Sequence, residues 1–524
     1  MRDTGARLPG EQSRGPSVDT ADHLSAAVNT ADHLLAAGRD DDIVLVDGAR
    51  RYTYRELRAA AARIAGELAG AGLPPGSRVG LLGPNSLFWV AGYLAVMKLG
   101  HVVVPLTDKL FPQALATRLE VAGLAAACVD RRSGRRFAQV LGGLPVLTDA
   151  CLSADGPVYW PPPQEQDLDA DAALMFTSGT TATPRAVRTT HRNIQASTAG
   201  ITAYLGLTDA DRMLVVLPFH YCYGASLLHT HLRVGARLVL CNSFVYPEKA
   251  VDLLEREECT GLAGVPSTFM MLLRLGSFTS RPLPALRQLQ QAGGKLAEPL
   301  IQELVAAKPH AQVFVMYGQT EGTSRLSYLP PQLLAGKPGS IGRGMPGVEL
   351  AVLDERGEPV PPGVRGEIYA RGDTISPGYF RDPEGTAEKF TPRGLRTGDI
   401  GLVDEDGYVS VVDRVGDFIK SWGNRVSSAE IEACALRHPE LVAAAAVGVP
   451  DPLAGETVAL FVEARPGSTL SGEQLLDSMA RGLPTYMVPK QVVFVERMPL
   501  NANGKIVKAA LRELAAEAGG PADR

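Results

Sequence analysis

The sequence predicts an α/β protein: a large body of parallel strands covered by helices, then a β-rich stretch, then a small α+β unit. Three observations carry this. From Val44 to Met316 short apolar runs alternate with helical stretches, the pattern of parallel strands buried on both faces. Between residues 341 and 412 proline, glycine and short alternating strands replace that rhythm. After Asp413–Lys420 two strands and two helices follow within roughly 110 residues, enough to hold a core of their own.

In chain order, residues 1 to about 19 are rich in Gly, Pro, Arg and Ser and are expected to be a disordered tail. Thr20-Ala-Asp-His-Leu24 then recurs as Thr30-Ala-Asp-His-Leu34, which reads as a local helical duplication with surface histidines. Arg51-Tyr-Thr-Tyr54 leads into a helix to about Ala69, with Gly70 placed to end it. Val79–Leu82 reads as a buried strand, Leu87–Lys98 as a helix, and Val102–Pro105 and Ala125–Val129 as further strands. Met213–Pro218 is a strand running into Phe-His-Tyr-Cys-Tyr-Gly224, with a helix expected over Ala225–Arg233. Gly261–Pro266, Gln290–Lys295 and Val313–Met316 repeat the strand-then-turn arrangement by which α/β proteins present ligand groups at a sheet edge. Val348–Leu353, Gly366–Tyr369 and Tyr408–Val412 are the strands of the β-rich part. Ser427-x-x-Glu430 reads as a capping box opening a helix to about Arg437. Strands at Ala443–Val449 and Thr457–Glu463, a helix from Ser471 and a turn at Asn501-Ala-Asn-Gly-Lys-Ile506 complete the chain.

Composition narrows the function. With 524 residues, 45% hydrophobic and 21% charged, the chain is ordinary globular material, enough for one large domain and at least one more. A net charge of −5 gives no basic footprint for nucleic acid or acidic membranes. There is no apolar run long enough to span a bilayer and no apolar core of a signal peptide, so a cytoplasmic enzyme is expected. Six cysteines are scattered without a C-x-x-C pair, which suits reduced thiols and no zinc site. Any metal has to come with the substrate.

Four segments carry chemistry. Phe176-Thr-Ser-Gly-Thr-Thr-Ala-Thr-Pro-Arg-Ala-Val187 crowds hydroxyls and glycine around a bare backbone, a cradle for polyphosphate, although a Ser/Thr/Gly surface loop has the same composition. It lacks the Gly-Lys-Ser/Thr ending of a Walker A loop. Tyr317-Gly-Gln-Thr-Glu-Gly322 offers an aromatic face for a base and, in Glu321, a carboxylate for a hard cation. Leu395-Arg-Thr-Gly-Asp399 places a carboxylate after a tight turn, a suitable acceptor for two ribose hydroxyls. Lys505 stands in a glycine turn of a chain that otherwise favours arginine.

In this order and spacing the segments closely resemble the adenylate-forming superfamily of AMP-forming acyl-CoA ligases, adenylation domains and firefly-type luciferases, over about residues 30 to 515. The resemblance implies a large N-terminal domain, residues 20–413, of two doubly wound αβαβα subdomains plus a β-rich one. A small mobile α+β lid, residues 414–524, would follow. It implies ATP, Mg2+ and CoA as cofactors. Thr177, Ser178, Gly179, Thr180 and Thr181 would hold the β- and γ-phosphates. Gly294, Lys295 and Tyr317 would border the adenine, with Gly318 and Gln319 beside them; Thr320 would touch the α-phosphate, and Glu321 the magnesium. Asp399 and Arg414 would take the ribose, and Lys505 would bridge the substrate carboxylate and the α-phosphate. Tyr221, Cys222, Tyr223, Gly293 and Ser324 would line the acid pocket. Lys420, Trp422 and Gly423 would form the thiolation face, and Gly416 the hinge.

Departures from the family pattern matter equally. Ala182, Arg185 and Ala186 stand where Gly, Lys and Gly are usual; Arg185 keeps the charge, while the alanines add methyls to a loop that must approach phosphate, with weaker ATP binding expected. Tyr221 stands where many members have His, and the hinge residue is Gly416 rather than Asp or Lys. No carboxylate lies between Pro218 and Arg233 to pair with an α-amino group, which argues against an amino-acid substrate. The partner acid is expected to have an uncharged aryl or medium-length tail. Phe418-Ile-Lys-Ser-Trp-Gly423 resembles the segment that CoA ligases present to pantetheine, which implies CoA as acceptor; a carrier protein, or nitrite activation for attack by an aryl amine, are the alternatives. Oligomeric state is not legible.

Overall fold

The computed structural model describes residues 28–153, 156–163, 165–177, 184–414, 418–421, 424–451 and 454–518. Its first sheet runs Val146–Thr148, Ala126–Val129, Arg78–Leu82, Val102–Leu106, Asp171–Phe176, Ala186–Thr190. Every neighbour is parallel except the last pair, an antiparallel hairpin whose connection is the expected phosphate cradle. The second sheet has eight strands: Ser327–Leu329, Gln312–Tyr317, Gln288–Gln291, Gly261–Gly264, Arg212–Val215, Arg237–Leu240, Ile43–Asp47 and Arg50–Thr53. Here too the interior pairs are parallel and the two edges antiparallel.

The sheets share one apolar core, centred on the helix Leu87–Lys98. That helix is buried on every side, which is why its sequence carries no polar stripe. Trp89 and Tyr93 stack 5.3 Å apart, and the Tyr93 hydroxyl meets His229 Nε2 at 2.8 Å. A third, antiparallel sheet, Ser340–Gly342, Val409–Arg414, Gly394–Val403, Arg365–Arg371 and Glu349–Leu353, packs across the edge of the second. The last sheet pairs Leu441–Asp451 with Gly455–Ala464 and is covered by the helices Ser428–Ala435 and Lys508–Ala518. It is seated on the helix Pro266–Leu275, with Arg274 Nε donating to the Leu441 carbonyl at 3.1 Å. Among the described residues no helix is long and apolar enough to cross a membrane, and all six cysteines are unpaired.

Several boundaries differ from the sequence reading. The helix Tyr54–Gly70 runs through Gly70, because Gly72, at φ +64°, turns the chain instead; a Thr53–Glu56 capping box opens it. The helix after the second β–α turn spans Cys222–Val234, so Cys222 and Tyr223 sit in its first turn rather than in a loop. The Ser427–Glu430 box does not form: the Ser427 hydroxyl points back to the Val412 carbonyl, 3.4 Å away, and the helix ends at Ala435. At Ser471 and Gln474 such a box does form. His33, expected at the surface, is half-buried, and burial, helped by Arg233, pushes its pKa down to about 4. The tail and the first copy of its repeat lie outside the described residues.

Candidate active site

A cleft of about 2030 Å³ opens where the second sheet, the β-rich sheet and the C-terminal unit meet. Its floor is the turn after Gln312–Tyr317. A Cβ at Gly318 would lie 2.0 Å from the Ser324 carbonyl oxygen, so only glycine lets this turn fold back on itself. Thr323 and Ser324 both hold positive φ, +49° and +85°, and the buried Ser324 Oγ and Gln319 Nε2 have no partner among the described residues. Tyr317 Oη donates to Asp399 Oδ2 at 2.5 Å, and Asp399 faces Arg414 across the antiparallel pair at 3.4 Å. Burial raises the Asp399 pKa, while Arg414 and the tyrosine hydroxyl oppose it.

Glu321 is buried at the same turn, and its Oε1 accepts from Tyr379 Oη at 2.7 Å. Burial, then the Glu321 charge, pushes the Tyr379 phenol up, so it stays a donor. Thr320 Oγ1 donates to Cys222 Sγ at 3.4 Å, and burial raises the Cys222 thiol. Tyr379 was not singled out from the sequence; a lone Gly-Tyr-Phe in a β-rich stretch carries no periodic or spacing signal.

Lys505 arrives from the C-terminal unit. Its turn is closed by Asn501 N donating to the Lys505 carbonyl at 2.8 Å, and Ser267 Oγ clasps the Gly504 carbonyl at 2.6 Å. The ammonium sits 5.6 Å from the centre of the Tyr221 ring. Burial lowers its pKa; Cys222, Asp399 and Glu321 counter this, whereas Arg414 adds to it. Gly293, at φ +84°, lies directly beneath, where a Cβ would meet Val265, Tyr221 and the Lys505 stem. Tyr221 and Tyr223 stand edge to face, ring centres 6.4 Å apart, and the Tyr223 hydroxyl donates to the Gln290 carbonyl at 2.6 Å. Behind Tyr223 the wholly buried Arg325 stacks 4.8 Å from its ring.

Thr177, Tyr221, Cys222, Tyr223, Gly293, Gly294, Lys295, Tyr317, Gly318, Gln319, Thr320, Glu321, Ser324, Asp399, Arg414 and Lys505 thus border one cleft. Lys295 turns its ammonium to the Val411 carbonyl, 3.1 Å away. Lys420 is exposed, outside the cleft wall, with its N–H on Glu456. Ser178, Gly179, Thr180, Thr181, Ala182, Gly416, Trp422 and Gly423 lie outside the described residues. Two departures of the cradle segment are among the described residues. Ala186 opens the strand Ala186–Thr190 and is packed in an apolar cluster, so its methyl does not approach the cleft. Arg185 is ion-paired with Asp382 at 3.1 Å and lies 5.1 Å from the Tyr379 ring centre.

The sequence profile of the family described as AMP-binding enzyme matches residues 34–380, and that of its C-terminal domain matches residues 430–505. The chain belongs to the AMP-binding enzyme family. It is similar to a feruloyl-CoA synthase of an Amycolatopsis species, 33% identical, the match covering 89% of this chain and 94% of the relative. The fold matches an anthranilate CoA ligase, AuaEII, in complex with anthranoyl-AMP at a TM-score of 0.86 and 25% identity, covering 95% of this chain and 100% of that one. It also matches the O-succinylbenzoate CoA synthetase MenE of Bacillus subtilis in complex with ATP and magnesium ion, at TM-score 0.82 and 28% identity over 93% and 100%. This AMP-binding enzyme is therefore an AMP-forming acid–thiol ligase, with the two-part α/β architecture of its relatives. Among the described residues of the family member no cluster of three His, Cys, Asp or Glu side chains stands ready for a metal.

Proposed function

We propose that the enzyme activates a carboxylic acid with an uncharged aryl or medium-length acyl tail as its acyl-adenylate, releasing pyrophosphate, and passes the acyl group to CoA with release of AMP. One observation carries this reading: the Lys505 ammonium meets the Tyr221 ring at the junction of an aromatic pocket and a cleft holding Glu321, Asp399 and Arg414. Two anions must meet there, because a carboxylate oxygen attacks the α-phosphorus while the bond to the β-phosphate breaks. In this reading Asp399 and Arg414 hold the ribose, and Gly293 to Lys295 with Tyr317 flank the base. Thr177, with Ser178 to Thr181, receives the phosphates. Thr320 orients the α-phosphate, and Glu321, held by Tyr379, would hold a magnesium ion, which would supply charge neutralisation for the triphosphate. Lys505 supplies charge to the attacking carboxylate and the α-phosphate together, a preorganised contribution of about 3 kcal/mol.

The tail is assigned from Tyr221 and Tyr223, two rings with no carboxylate beside them among the described residues, and from relatives named for ferulate and anthranilate. A smaller cavity of about 190 Å³ is lined by Arg118, Thr177 and His220 and walled by Asn501–Asn503. Withdrawal of that turn about Gly416 would open it, a route for a pantetheine thiol as Lys420 to Gly423 swing in. The unpaired, mostly buried thiols suit the cytoplasm. The test is pyrophosphate and AMP release with a panel of aryl, fatty and amino acids, with and without CoA. AMP release stimulated by CoA with an aryl or fatty acid is the expected result. Turnover indifferent to CoA but dependent on a carrier protein, or on nitrite plus an amine, would move the assignment.

A further inference from the structure

The β-rich sheet brings a second lysine to the cleft that the motif reading does not use. Lys389, the last residue of the helix Pro383–Lys389, borders the cleft, and its Nζ donates to the Thr397 carbonyl at 2.8 Å. The ammonium lies beside the turn into Asp399, 3.6 Å from where a Cβ on Gly398 would stand. Its charged neighbours are Glu321, Arg414, Asp399 and Glu367. Each carboxylate there has its own partner: Glu321 has Tyr379, Asp399 has Arg414 and Tyr317, and Glu367 has Arg396 at 2.8 Å. Among the described residues no carboxylate comes within ion-pair distance of Lys389 itself. A lysine has three N–H donors, and a single backbone carbonyl uses one of them.

Holding a carbonyl does not require a charge. A half-buried ammonium carries a desolvation cost that an anion beside it offsets better than a single carbonyl does, and burial does push the Lys389 pKa down. The place fits one anion. If Asp399 and Arg414 take the ribose, the 5′-phosphate lies between that turn and Thr320–Glu321, the gap that Lys389 overlooks. We infer that Lys389 is a resident cation for the phosphate of AMP, contacting the α-phosphate of the acyl-adenylate and of the AMP that leaves. This rests on the nucleotide assignment proposed above. Its distinctive consequence is timing. Lys505 belongs to the C-terminal unit and departs when that unit rotates, whereas Lys389 belongs to the N-terminal body and stays. In the second step the thiol sulfur bonds to the acyl carbon, the mixed-anhydride C–O bond breaks, and its electron pair settles on the AMP phosphate oxygen. The thiol proton passes to water. Lys389 is the cation facing that developing charge.

The test uses Lys389→Gln, which can still donate to Thr397 but carries no charge, and Lys389→Arg, which keeps the charge. Binding of AMP and of adenosine is measured by calorimetry on the full-length protein. Lys389→Gln should weaken AMP about tenfold, the loss of one charge-assisted hydrogen bond, and leave adenosine within about twofold; Lys389→Arg should restore most of the AMP affinity. Starting from preformed acyl-adenylate, CoA-dependent AMP release should fall about tenfold in the Gln variant, with acid-dependent pyrophosphate exchange falling less than about threefold. Unchanged AMP affinity, or equal weakening of AMP and adenosine, overturns the inference and leaves Lys389 as a turn pin. Because the binding comparison needs no turnover, failure of the acid–CoA reading would show separately, as absence of exchange with every acid while the AMP-to-adenosine contrast stands.

Discussion

Gly293→Ala tests whether the acid pocket and the lysine turn meet as tightly as the geometry requires. At φ +84° an alanine is strained by about 1–2 kcal/mol. Its Cβ would also lie 2.9 Å from Val265 Cγ1, 3.0 Å from Tyr221 Oη and 3.5 Å from Lys505 Cε. The valine belongs to the core and yields little, so Tyr221 must shift, while the Lys505 stem stays in ordinary contact; the side-chain displacement is worth about 1 kcal/mol. The total, about 2 kcal/mol, should lower the melting temperature by a few degrees. The larger effect is on chemistry: with the Tyr221 ring that faces the Lys505 ammonium displaced, kcat/KM for adenylation should fall about 10- to 100-fold. Acid-dependent pyrophosphate exchange measures this, with KM for the acid rising and KM for ATP nearly unchanged. A well-folded variant with wild-type kcat/KM would refute the claim that these three groups converge at Gly293.

Lys505→Ala should cut adenylate formation by about a hundredfold or more, roughly 3 kcal/mol, while thioester formation from preformed adenylate is much less affected; equal loss in both halves would mark the lysine as structural. Because burial lowers the Lys505 pKa from its ordinary 10.5, the cation is lost as pH rises through that lowered value, so exchange activity should decline on the alkaline side earlier than for an exposed lysine. Tyr379→Phe removes the 2.7 Å hydrogen bond to Glu321 and should raise the magnesium needed for half-maximal exchange about tenfold, read from a magnesium titration at fixed ATP. Acid should destabilise the fold through His191, which is buried neutral against Thr30 and pushed down from 6.5 to about 4 by burial. The unfolded chain binds more protons between those values. Its stabilisation is therefore complete above pH 6.5 and lost as pH falls toward about 4, worth ~3 kcal/mol, and melting curves between pH 7 and 4 with His191→Gln as control would show it.

Much of the architecture was readable because it rests on local periodicity. Short apolar runs separated by helices imply buried parallel strands, and both large sheets have them in their interior. The residues of the cleft were equally readable where they sit within a few positions of one another, as at Tyr317 to Glu321, or in a glycine turn, as at Lys505. The partners that hold those residues were not. Tyr379 reaches Glu321 across 58 positions, and nothing local to Gly378-Tyr379-Phe380 announces it. Arg185 was legible as the positive charge of the cradle segment, but its ion-pair partner Asp382, almost two hundred positions away, was not. Ser427 shows the converse failure: the local signature of a cap was present, and a tertiary hydrogen bond to Val412 took its hydroxyl.

Tyr379 has a consequence beyond holding Glu321. Its backbone bridges Val187, Arg188 N donates to the Gly378 carbonyl at 3.0 Å, and Phe380 N donates to the Ala186 carbonyl at 2.8 Å, so the return strand of the cradle hairpin is stitched to residues 378–380. The hydroxyl of the same tyrosine steadies the buried carboxylate. The hairpin and Glu321 are therefore mechanically one piece, and a shift of the strand by a fraction of an ångström is passed to the carboxylate without a domain movement. For protein engineering this means that a change at 186–188 needs a matching change at 378–380 to keep the carboxylate in place.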